Sequence, residues 1–310
     1  MEDLRGRVAV ITGAASGIGR GMAESFADAG IQLVLSDIRG DALEQTAQEL
    51  RARGAEVIGV RADVSKSEEV EALAQAALDR YGHVHILCNN AGVGAGATST
   101  WEATLDDWSW VLGANLMGVV HGVHFFMPIL LQQEAGGHIV NTASLAGLTS
   151  GGGAALYATS KFGVVALSEH VYLELRQRRA KVSISVLCPG FVSTDIQANS
   201  ERLGAELSTP SPRPHGPFAE AFRDWFAQQI KAGLAPRKVG DQVLKAIQSD
   251  RFYVLTHPEL TRRIEHRVQR IVSGKNPALE PPASFDSFLR LLQERGIPIP
   301  NTTSPDTAKG

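Results

Sequence analysis

The chain has 310 residues, of which 44% are hydrophobic and 20% are charged. That balance is typical of a globular protein with a full apolar core, and the length suits one α/β domain with an extension. The 30 Lys and Arg residues against 33 Asp and Glu residues give a formal net charge of −3. A chain so evenly charged has no general basic surface, so we expect neither nucleic acid nor a membrane as a partner.

The sequence has no pattern typical of export, membrane insertion or metal binding. A charged stretch, Met1 to Arg7, leads directly into a strand-like run, which is unlike a secretory signal. The longest apolar stretch, 117–131, contains two histidines and a proline and is too short to cross a bilayer. We therefore expect a cytoplasmic protein. Cys88 and Cys188 lie in separate apolar runs, which predicts buried free thiols and neither a disulfide nor a metal site.

Strand-like and helix-like segments alternate along most of the chain. Short apolar runs predict strands at 8–12, 32–36, 56–61, 85–89, 137–143, 181–188 and 251–256. Between them, helical periodicity predicts helices from the glycine-rich turn to 29 and at 41–53, 67–81, 105–133, 157 onward and 236–249. Strands alternating with helices of this length imply right-handed βαβ units. The predicted fold class is α/β, a doubly wound parallel sheet of the Rossmann type, in a single domain that spans 1–257.

The regular alternation stops after Asp195. A stretch rich in Ser, Pro and Gly at 199–217 predicts a loop, and an aromatic stripe at helical spacing follows it: Phe218, Phe222, Trp225, Phe226 and Ile230. Two interpretations stay open for this stripe, namely docked core or a mobile lid within a substrate loop at 191–235. Beyond the domain, 258–297 predicts a helical extension whose apolar stripes need a partner surface, and 298–310 predicts a disordered tail.

A glycine-rich turn joins the first predicted strand to the first predicted helix. Its glycines are Gly13, Gly17 and Gly19. They let the backbone approach a pyrophosphate, and the helix N-terminus supplies N–H groups. Asp37 ends the second strand, where a carboxylate accepts hydrogen bonds from ribose hydroxyls and repels a 2′-phosphate, which favours NAD. Arg39 is the counter-signal, because a guanidinium there pairs with the 2′-phosphate of NADP, so both cofactors stay open.

Tyr157 and Lys161 are four residues apart, so on a helix they share one face. The neighbouring ammonium favours the phenolate, so we expect it to lower the pKa of the Tyr157 hydroxyl from its ordinary value near ~10. Such a tyrosine takes a proton from an alcohol or returns one to a ketone. A tyrosine and a lysine at this spacing are also common on solvated helix faces, so the pair needs support from other motifs.

That support comes from a family resemblance. In their order along the chain, these motifs resemble those of the short-chain dehydrogenase/reductase family over about 5–256. The resemblance implies an NAD(P)-dependent oxidoreductase that acts on CH–OH groups without a metal. It implies cofactor contacts from the positions that match the family's motifs: Gly13, Ser16, Gly17, Ile18, Gly19, Asp37, Arg39, Asp63, Val64, Asn90, Ala91, Gly92, Tyr157, Lys161, Pro189, Gly190, Val192 and Thr194.

The same resemblance implies four catalytic positions. Tyr157 is the acid/base, and Lys161 lowers its pKa and binds the nicotinamide ribose. Ser144 stabilises the charge that develops on the substrate oxygen. Asn115 holds a water that joins Lys161 to solvent as a proton relay.

The C-terminal part is similar to that of a bacterial subgroup that oxidises lipophilic or aryl secondary alcohols. Small and apolar residues at 93–96, 145–147 and 151–153 surround the expected reacting centre. Together these features predict a bulky, hydrophobic and largely uncharged secondary alcohol or ketone as the substrate. The resemblance also implies a homodimer or homotetramer, although the extension could cover one of the assembly surfaces.

Three alternatives stay open. The chain could be an NADP-dependent ketoreductase of the same fold, or a non-catalytic nucleotide-sensing protein. The C-terminal helices could also form a module for a partner protein. Other polar clusters have ordinary explanations: no carboxylate or cysteine joins His121, His124 and His138, and Asp106-Asp107 complements a helix dipole.

Overall fold

The computed structural model describes residues 3–94, 100–149, 155–206, 216–278 and 285–298. Within these ranges the strands are β1 (Val8–Thr12), β2 (Gln32–Asp37), β3 (Val57–Arg61), β4 (Ile86–Asn89), β5 (Gly137–Thr142), β6 (Val182–Cys188) and β7 (Tyr253–Leu255). The helices are α1 (Gly17–Asp28), α2 (Gly40–Ala52), α3 (Ser67–Tyr81), α4 (Leu105–Leu112), α5 (Gly118–Gln132), α6 (Ala155–Gln177), α7 (Ile196–Glu206), α8 (Pro217–Lys231), α9 (Pro236–Gln248), α10 (Thr261–Val272) and α11 (Phe285–Glu294).

The strands form one parallel sheet in the order β3-β2-β1-β4-β5-β6-β7. Strand β1 is buried at every position, because helices cover both faces of the sheet, and its sequence is accordingly a continuous apolar run. The strand order reverses between β1 and β4. Such a switch point opens a crevice at the carboxyl ends of the strands, where ligands bind in open α/β sheets. The predicted doubly wound sheet is confirmed, and its strand boundaries agree with the predicted ones to within two residues.

Helices α1, α2 and α9 cover one face of the sheet, and α3, α5 and α6 cover the other. The crossing of α1 and α9 leaves no room for side chains at its centre. A Cβ on Gly21 would lie 2.3 Å from the carbonyl oxygen of Pro236, and a Cβ on Gly240 would lie 2.3 Å from the carbonyl oxygen of Gly21. The two glycines therefore set how closely the helices approach each other.

The helix that carries Asn115 is continuous. A π-helical turn, Gly113–Met117, joins α4 to α5, so the helix spans Leu105–Gln132, close to the predicted 105–133. By length and composition this helix could cross a membrane, although a core helix passes the same test. Our expectation that the segment is too short to cross a bilayer concerned only the apolar stretch at 117–131. Its second half packs against β4 and β5, with Phe126 and Leu130 fully buried. One face of the helix is therefore packed on the sheet, and 33% of its most apolar stretch is buried.

The aromatic stripe of α8 is docked. The side chain of Trp225 is only 4% exposed, and it packs against Phe288 of α11. Its indole N–H donates a hydrogen bond to Ser287 Oγ at 2.9 Å. Phe191, which follows β6, makes edge-on contacts with Trp225 and Phe226. Trp225 is therefore core, Phe222 and Phe226 are half-buried beside it, and Phe218 is 40% exposed. The apolar face of α11 finds its partner within the chain.

The predicted loop at 199–217 is wrong over its first part, because α7 extends to Glu206. The backbone N–H of Asn199 donates to the carbonyl of Asp195, and Ser200 Oγ donates to the carbonyl of Ile196. No proline falls within this stretch, so the helix is not interrupted. Our predictions for the part of this loop at 207–215, for the small residues at 95–96 and 151–153, and for the tail from 299 fall outside the described residues.

We expect Gly240→Ala to destabilise the protein by roughly 1–3 kcal/mol, the usual cost of overpacking a tight contact. The urea midpoint measures this change. Gly40→Ala is the matched control, because a Cβ there would meet only Arg61 Cδ at an ordinary 3.6 Å. Equal midpoints for Gly240→Ala and the unchanged protein would contradict the close helix crossing.

Candidate active site

The candidate site lies at the carboxyl ends of the strands around the switch point. Thr12 ends β1, and its hydroxyl oxygen accepts hydrogen bonds from the backbone N–H groups of Asn90 and Ala91 at 2.9 and 3.0 Å. Asn90 Nδ2 in turn donates to the carbonyl oxygen of Thr12 at 3.0 Å. These mutual bonds hold the loops after β1 and β4 against each other, so the glycine-rich turn and the Asn90-Ala-Gly92 segment form one wall.

The glycine-rich turn has the shape of a dinucleotide cradle. Gly13 has a φ of +66°, and a Cβ there would lie 2.8 Å from Ala91 Cα. At Gly19 a Cβ would lie 2.2 Å from the carbonyl oxygen of Gly13. The first turn of α1 contains no acidic residue, so its N–H groups face the turn without a competing carboxylate. These residues fit a dinucleotide whose pyrophosphate rests on the start of α1.

Asp37 and Arg39 form an ion pair at the end of β2. Asp37 Oδ1 accepts from Arg39 Nε at 3.2 Å, and Oδ2 accepts from the backbone N–H of Ala15 at 3.1 Å. The guanidinium also donates to Ser16 Oγ at 2.7 Å and to Asn199 Oδ1 at 3.0 Å. Asp37, which favours NAD, and Arg39, which would favour NADP, are therefore in contact beside the glycine-rich turn. Asn199 is a member of this cluster that the sequence does not reveal, because it comes from α7.

Asp63 and Val64 organise the loop after β3. Asp63 Oδ1 accepts hydrogen bonds from the backbone N–H and the hydroxyl of Ser65, at 3.0 and 2.7 Å. The buried side chain of Val64 lies against Gly118, and its carbonyl oxygen is 2.9 Å from His121 Nδ1. These contacts fix the loop against α5. The cofactor contact that the resemblance implies for this pair stays a prediction.

The segment after β6 passes over the glycine-rich turn from the opposite side. The backbone N–H of Gly190 donates to His257 Nδ1 at 3.3 Å, where the C-terminal extension begins. Val192 forms a parallel bridge with the chain just before α9. The methyl carbon of Thr194 lies against Gly17, where a Cβ would be 3.1 Å away. Because of these contacts, the segment lies across the cradle.

The four predicted catalytic residues come from three parts of the fold and meet at its centre. Ser144 follows β5, and its side chain is close enough to Tyr157 to lower the pKa of the tyrosine hydroxyl. Tyr157 and Lys161 lie one turn apart on α6, and Lys161 Nζ is 5.5 Å from the centre of the tyrosine ring. Lys161 Nζ also donates to the carbonyl oxygen of Thr142 at 3.0 Å. The sequence does not reveal this carbonyl partner, because backbone contacts leave no residue signature.

Asn115 joins this group to the loop after β4. Its Oδ1 accepts from the backbone N–H of Val93 at 2.7 Å. Its Nδ2 donates to the carbonyl of Val93 at 3.0 Å and to Ser160 Oγ at 3.1 Å. A Cβ on Gly92 would lie 2.9 Å from Asn115 Oδ1 and 3.5 Å from Lys161 Nζ, so the backbone of Gly92 runs directly past both. Both amide N–H donors of Asn115 are taken within the chain, and the implied water relay stays a prediction.

Asn115 lies in the π-helical turn, Gly113–Met117, and is fully buried. A π turn inside an α-helix widens the backbone, and such turns are frequent at functional sites. Sequence periodicity predicts only a long helix here, because an inserted π turn does not interrupt the apolar pattern. Ser160 was also missed, and its position next to Lys161 is the only signal that pointed to it.

Burial dominates the acid–base properties of the site. It raises the pKa of Tyr157 above the ordinary value of 10.0, and the hydrogen bond with Ser144 opposes that rise only in part. Burial also lowers the pKa of Lys161 from 10.5 to about 8. Burial therefore outweighs the other influences on the Tyr157 pKa, and the lowering by Lys161 stays a prediction. Lys161 Nζ is turned to the carbonyl of Thr142, and the low-dielectric surroundings disfavour the phenolate.

Cys188 borders the same group of residues. Burial raises the pKa of its thiol to about 12, against the opposing effect of a hydrogen bond with the backbone of Ser144. Burial likewise raises the pKa of Cys88. Both cysteines are buried and free, as predicted, so both are neutral near pH 7.

The fold and the site together define a class, the nicotinamide-dependent oxidoreductases of the α/β type. A family model described as short chain dehydrogenase matches residues 7–203. The chain belongs to the short-chain dehydrogenase/reductase family, whose members bind NAD(H) or NADP(H). It is an NAD(P)-dependent enzyme that acts on CH–OH groups, which replaces the alternative of a non-catalytic sensing protein.

Several relatives match about nine-tenths of the chain. A crystal structure of a short chain dehydrogenase/reductase from Burkholderia phymatum in complex with NAD is 45% identical, with a TM-score of 0.86, and the match covers 91% of this chain and 100% of that one. The CLA biosynthesis dehydrogenase/reductase of Lactiplantibacillus plantarum is 37% identical over 89% of this chain and 97% of its own. The 1-deoxy-11-beta-hydroxypentalenate dehydrogenase of Streptomyces exfoliatus is 34% identical over 90% of this chain and 93% of its own.

We expect neither thiol to react with a disulfide reagent such as dithionitrobenzoate in the native protein near neutral pH, because both are buried and protonated. In denaturant, both should react. Absorbance of the released thiolate counts them. Rapid reaction of a native thiol, followed by loss of nucleotide binding, would show that Cys188 is accessible and that the site is more open than described.

Proposed function

We propose that the protein interconverts a secondary alcohol and a ketone on a bulky hydrophobic molecule, with NAD as the preferred cofactor and Tyr157 as the acid/base. One observation carries this proposal. Tyr157 lies beside the cradle for a dinucleotide with Ser144 close enough to lower the pKa of its hydroxyl, and the Lys161 ammonium lies 5.5 Å from the centre of its ring. An acid/base group beside a dinucleotide cradle suits a reaction in which a proton and a hydride are transferred on the same substrate.

In alcohol oxidation, the Tyr157 oxygen takes the proton of the substrate hydroxyl while hydride leaves the carbinol carbon. The Ser144 hydroxyl donates a hydrogen bond to the same substrate oxygen and stabilises its developing charge. When bound, the dinucleotide accepts or donates the hydride, and its oxidised nicotinamide ring is cationic. In the reverse direction Tyr157 returns the proton to the carbonyl oxygen.

Lys161 holds and orients the reacting groups. An ammonium has three N–H donors, and the contact with Thr142 uses one of them. We assign the others to the nicotinamide ribose and to the Tyr157 oxygen. Because burial lowers its pKa to about 8, Lys161 is partly able to lose a proton near neutral pH, which suits a relay that passes through Asn115.

A hydrophobic substrate is supported by the surroundings of the site. Val93 and Leu156 are buried in one apolar cluster that follows β4 and begins α6. The relatives named above include a hydroxypentalenate dehydrogenase. We assign 1–257 to the catalytic domain, with 191–235 as its substrate loop, and 258–297 to an extension. We also propose a cytoplasmic homodimer or homotetramer, supported by apolar side chains that α5 and α6 leave exposed, such as Leu131 and Leu173.

The preference for NAD follows from the charge of Asp37. Its carboxylate is buried at the end of β2, and a 2′-phosphate there would bring two negative charges together. Arg39 is paired with that carboxylate and is shared with Ser16 and Asn199, so its guanidinium is already engaged. An NADP-dependent enzyme needs the same arginine for the phosphate.

We expect Asp37→Ser to raise the NADP-to-NAD ratio of kcat/KM by about a hundredfold, close to 2.7 kcal/mol at ~1.36 kcal/mol per tenfold. The change removes the repulsion and releases the Arg39 guanidinium. Initial rates with both nucleotides measure the ratio. Asp41→Ser is the matched control, because Asp41 is exposed in the first turn of α2. A wild-type preference for NADP, or an unchanged ratio in Asp37→Ser, would contradict the assignment.

The proposed reaction is tested by the rate of nicotinamide reduction with a panel of lipophilic secondary alcohols. We expect Tyr157→Phe to lose the 10²–10⁴-fold typical of general acid–base catalysis while still binding NADH, measured by nucleotide fluorescence. Tyr172→Phe is the matched control on the same helix. Loss of less than tenfold in Tyr157→Phe would exclude Tyr157 as the acid/base, and best turnover of small charged hydroxy acids would exclude the hydrophobic pocket.

A further inference from the structure

The peptide unit between Pro189 and Gly190 joins two parts of the fold that are far apart in the sequence. Its carbonyl oxygen accepts a hydrogen bond from the backbone N–H of Leu145 at 2.9 Å. Its N–H is shared between Thr256 Oγ1 and His257 Nδ1, both at 3.3 Å. A peptide unit is planar and stiff. One rigid group therefore connects the loop after β5 to the chain after β7, where the C-terminal extension begins.

The imidazole of His257 lies directly against the backbone of Gly190. A Cβ on Gly190 would be 2.9 Å from His257 Cγ and 3.2 Å from Leu260 Cδ1, so this side of the glycine has no room for a side chain. The backbone N–H of Leu260 donates to the carbonyl of His257 at 3.0 Å, which closes the first turn of the extension over the same glycine. The extension therefore packs on the segment for which the family resemblance implies a cofactor contact.

The hydrogen bonds around His257 have one consistent direction. Its Nδ1 accepts from the Gly190 N–H, so Nδ1 carries a lone pair and the ring carries its proton on Nε2. The Thr256 hydroxyl, whose oxygen is 2.7 Å from Nδ1, then donates to this nitrogen, and its oxygen accepts from Gly190. Thr256 is only 6% exposed, so loss of one partner would leave a buried polar group without a hydrogen bond.

The other end of the peptide unit acts on the loop that holds Ser144. Leu145, whose N–H binds the carbonyl of Pro189, begins a short 3₁₀ turn directly after Ser144. In this turn the backbone N–H of Ala146 donates to Ser144 Oγ at 3.1 Å. The turn therefore orients the Ser144 hydroxyl, and the Pro189 carbonyl holds the turn in place.

Hydrogen bonds at the two ends of one peptide unit strengthen each other. When the N–H donates, the unit becomes more polarised, and its carbonyl oxygen becomes a better acceptor. The contacts of Gly190 with Thr256 and His257 therefore strengthen the bond between Pro189 and Leu145. They also keep the peptide plane in the orientation that this bond requires.

We propose that His257 is a positioning residue for the reaction: through Thr256 and the Pro189–Gly190 peptide, it fixes the turn that orients the Ser144 hydroxyl. The inference rests on the proposed function, in which that hydroxyl stabilises the charge on the substrate oxygen. His257 acts through Ser144 and takes no part in proton transfer. The start of the C-terminal extension thereby contributes to the rate of the reaction.

The linkage is tested first without turnover, by amide hydrogen exchange of Leu145 in the native protein. We expect about tenfold faster exchange in His257→Ala, because the turn then opens more easily. His257→Asn should restore slow exchange, since its Oδ1 takes the place of Nδ1 as acceptor, and His257→Gln should not, because its amide lies one carbon further out. His170→Ala is the matched control, because His170 is exposed on α6 and contacts a carbonyl of its own helix.

Unchanged exchange of Leu145 in His257→Ala, or equal exchange in the Asn and Gln variants, would overturn the inference. If His257→Ala fails to fold, Thr256→Val gives the same comparison, because it nearly keeps the volume of the side chain and removes the hydroxyl. Its expected result is again faster exchange of Leu145, and unchanged exchange would again overturn the linkage.

A double-mutant cycle on kcat then tests whether His257 acts through Ser144. We expect His257→Ala to lower kcat about tenfold in the unchanged background and by less than about twofold in Ser144→Ala, where no hydroxyl is left to orient. The shift of the urea midpoint caused by His257→Ala should be the same in both backgrounds. Equal losses of kcat in both backgrounds would overturn the positioning role and leave the proposed reaction standing.

Failure of the proposed function gives a different result. If no secondary alcohol or ketone is turned over, the proposed reaction is wrong and the role of His257 in it is wrong as well. The exchange experiment still decides in that case whether His257 holds the turn after Ser144.

Discussion

The structure depends on one buried cation. The ammonium of Lys161 is only 4% exposed, and it is held by the carbonyl of Thr142 at 3.0 Å. Burying a charge is costly unless it is hydrogen-bonded or paired, so the surrounding chain has to supply oxygen ligands and exclude alternatives. The end of β5 provides the carbonyl and α6 provides the lysine. The parallel sheet therefore has to hold the end of β5 within hydrogen-bond distance of Lys161 on α6.

Other parts of the fold serve the same arrangement. Asn115 is clamped between Val93 and Ser160, and the backbone of Gly92 passes within contact distance of Lys161. The π-helical turn around Asn115 is a departure from regular helix at the place where the long helix at 105–132 enters this group. The dinucleotide cradle and the acid/base group thus share a wall, which is the loop after β4.

Much of the fold and of the site could be predicted from the sequence, because these features depend on residue types and their spacing. Gly13, Gly19 and Asp37 follow apolar strands, and the spacing of Tyr157 and Lys161 places them one helical turn apart. The alternation of strands and helices predicts the sheet for the same reason, since burial on two faces leaves continuous apolar runs. What could not be predicted depends on backbone contacts or distant segments. The carbonyl of Thr142, the π turn and the approach of Asn199 to Arg39 have no local signature. The effect of burial on the pKa of Tyr157 could not be predicted, because sequence spacing shows the neighbouring charge and not the burial around it.

The central claim is that the cationic charge of Lys161 is what makes the Tyr157 phenolate accessible during catalysis, against the effect of burial. The most direct test is the pH dependence of kcat for alcohol oxidation in the unchanged protein and in Lys161→Met. We predict a single controlling ionisation below pH ~10 in the unchanged protein, the ordinary value for tyrosine. In Lys161→Met we predict a lower kcat and an ionisation at least about one pH unit higher. Identical pH profiles for the two proteins would contradict the account.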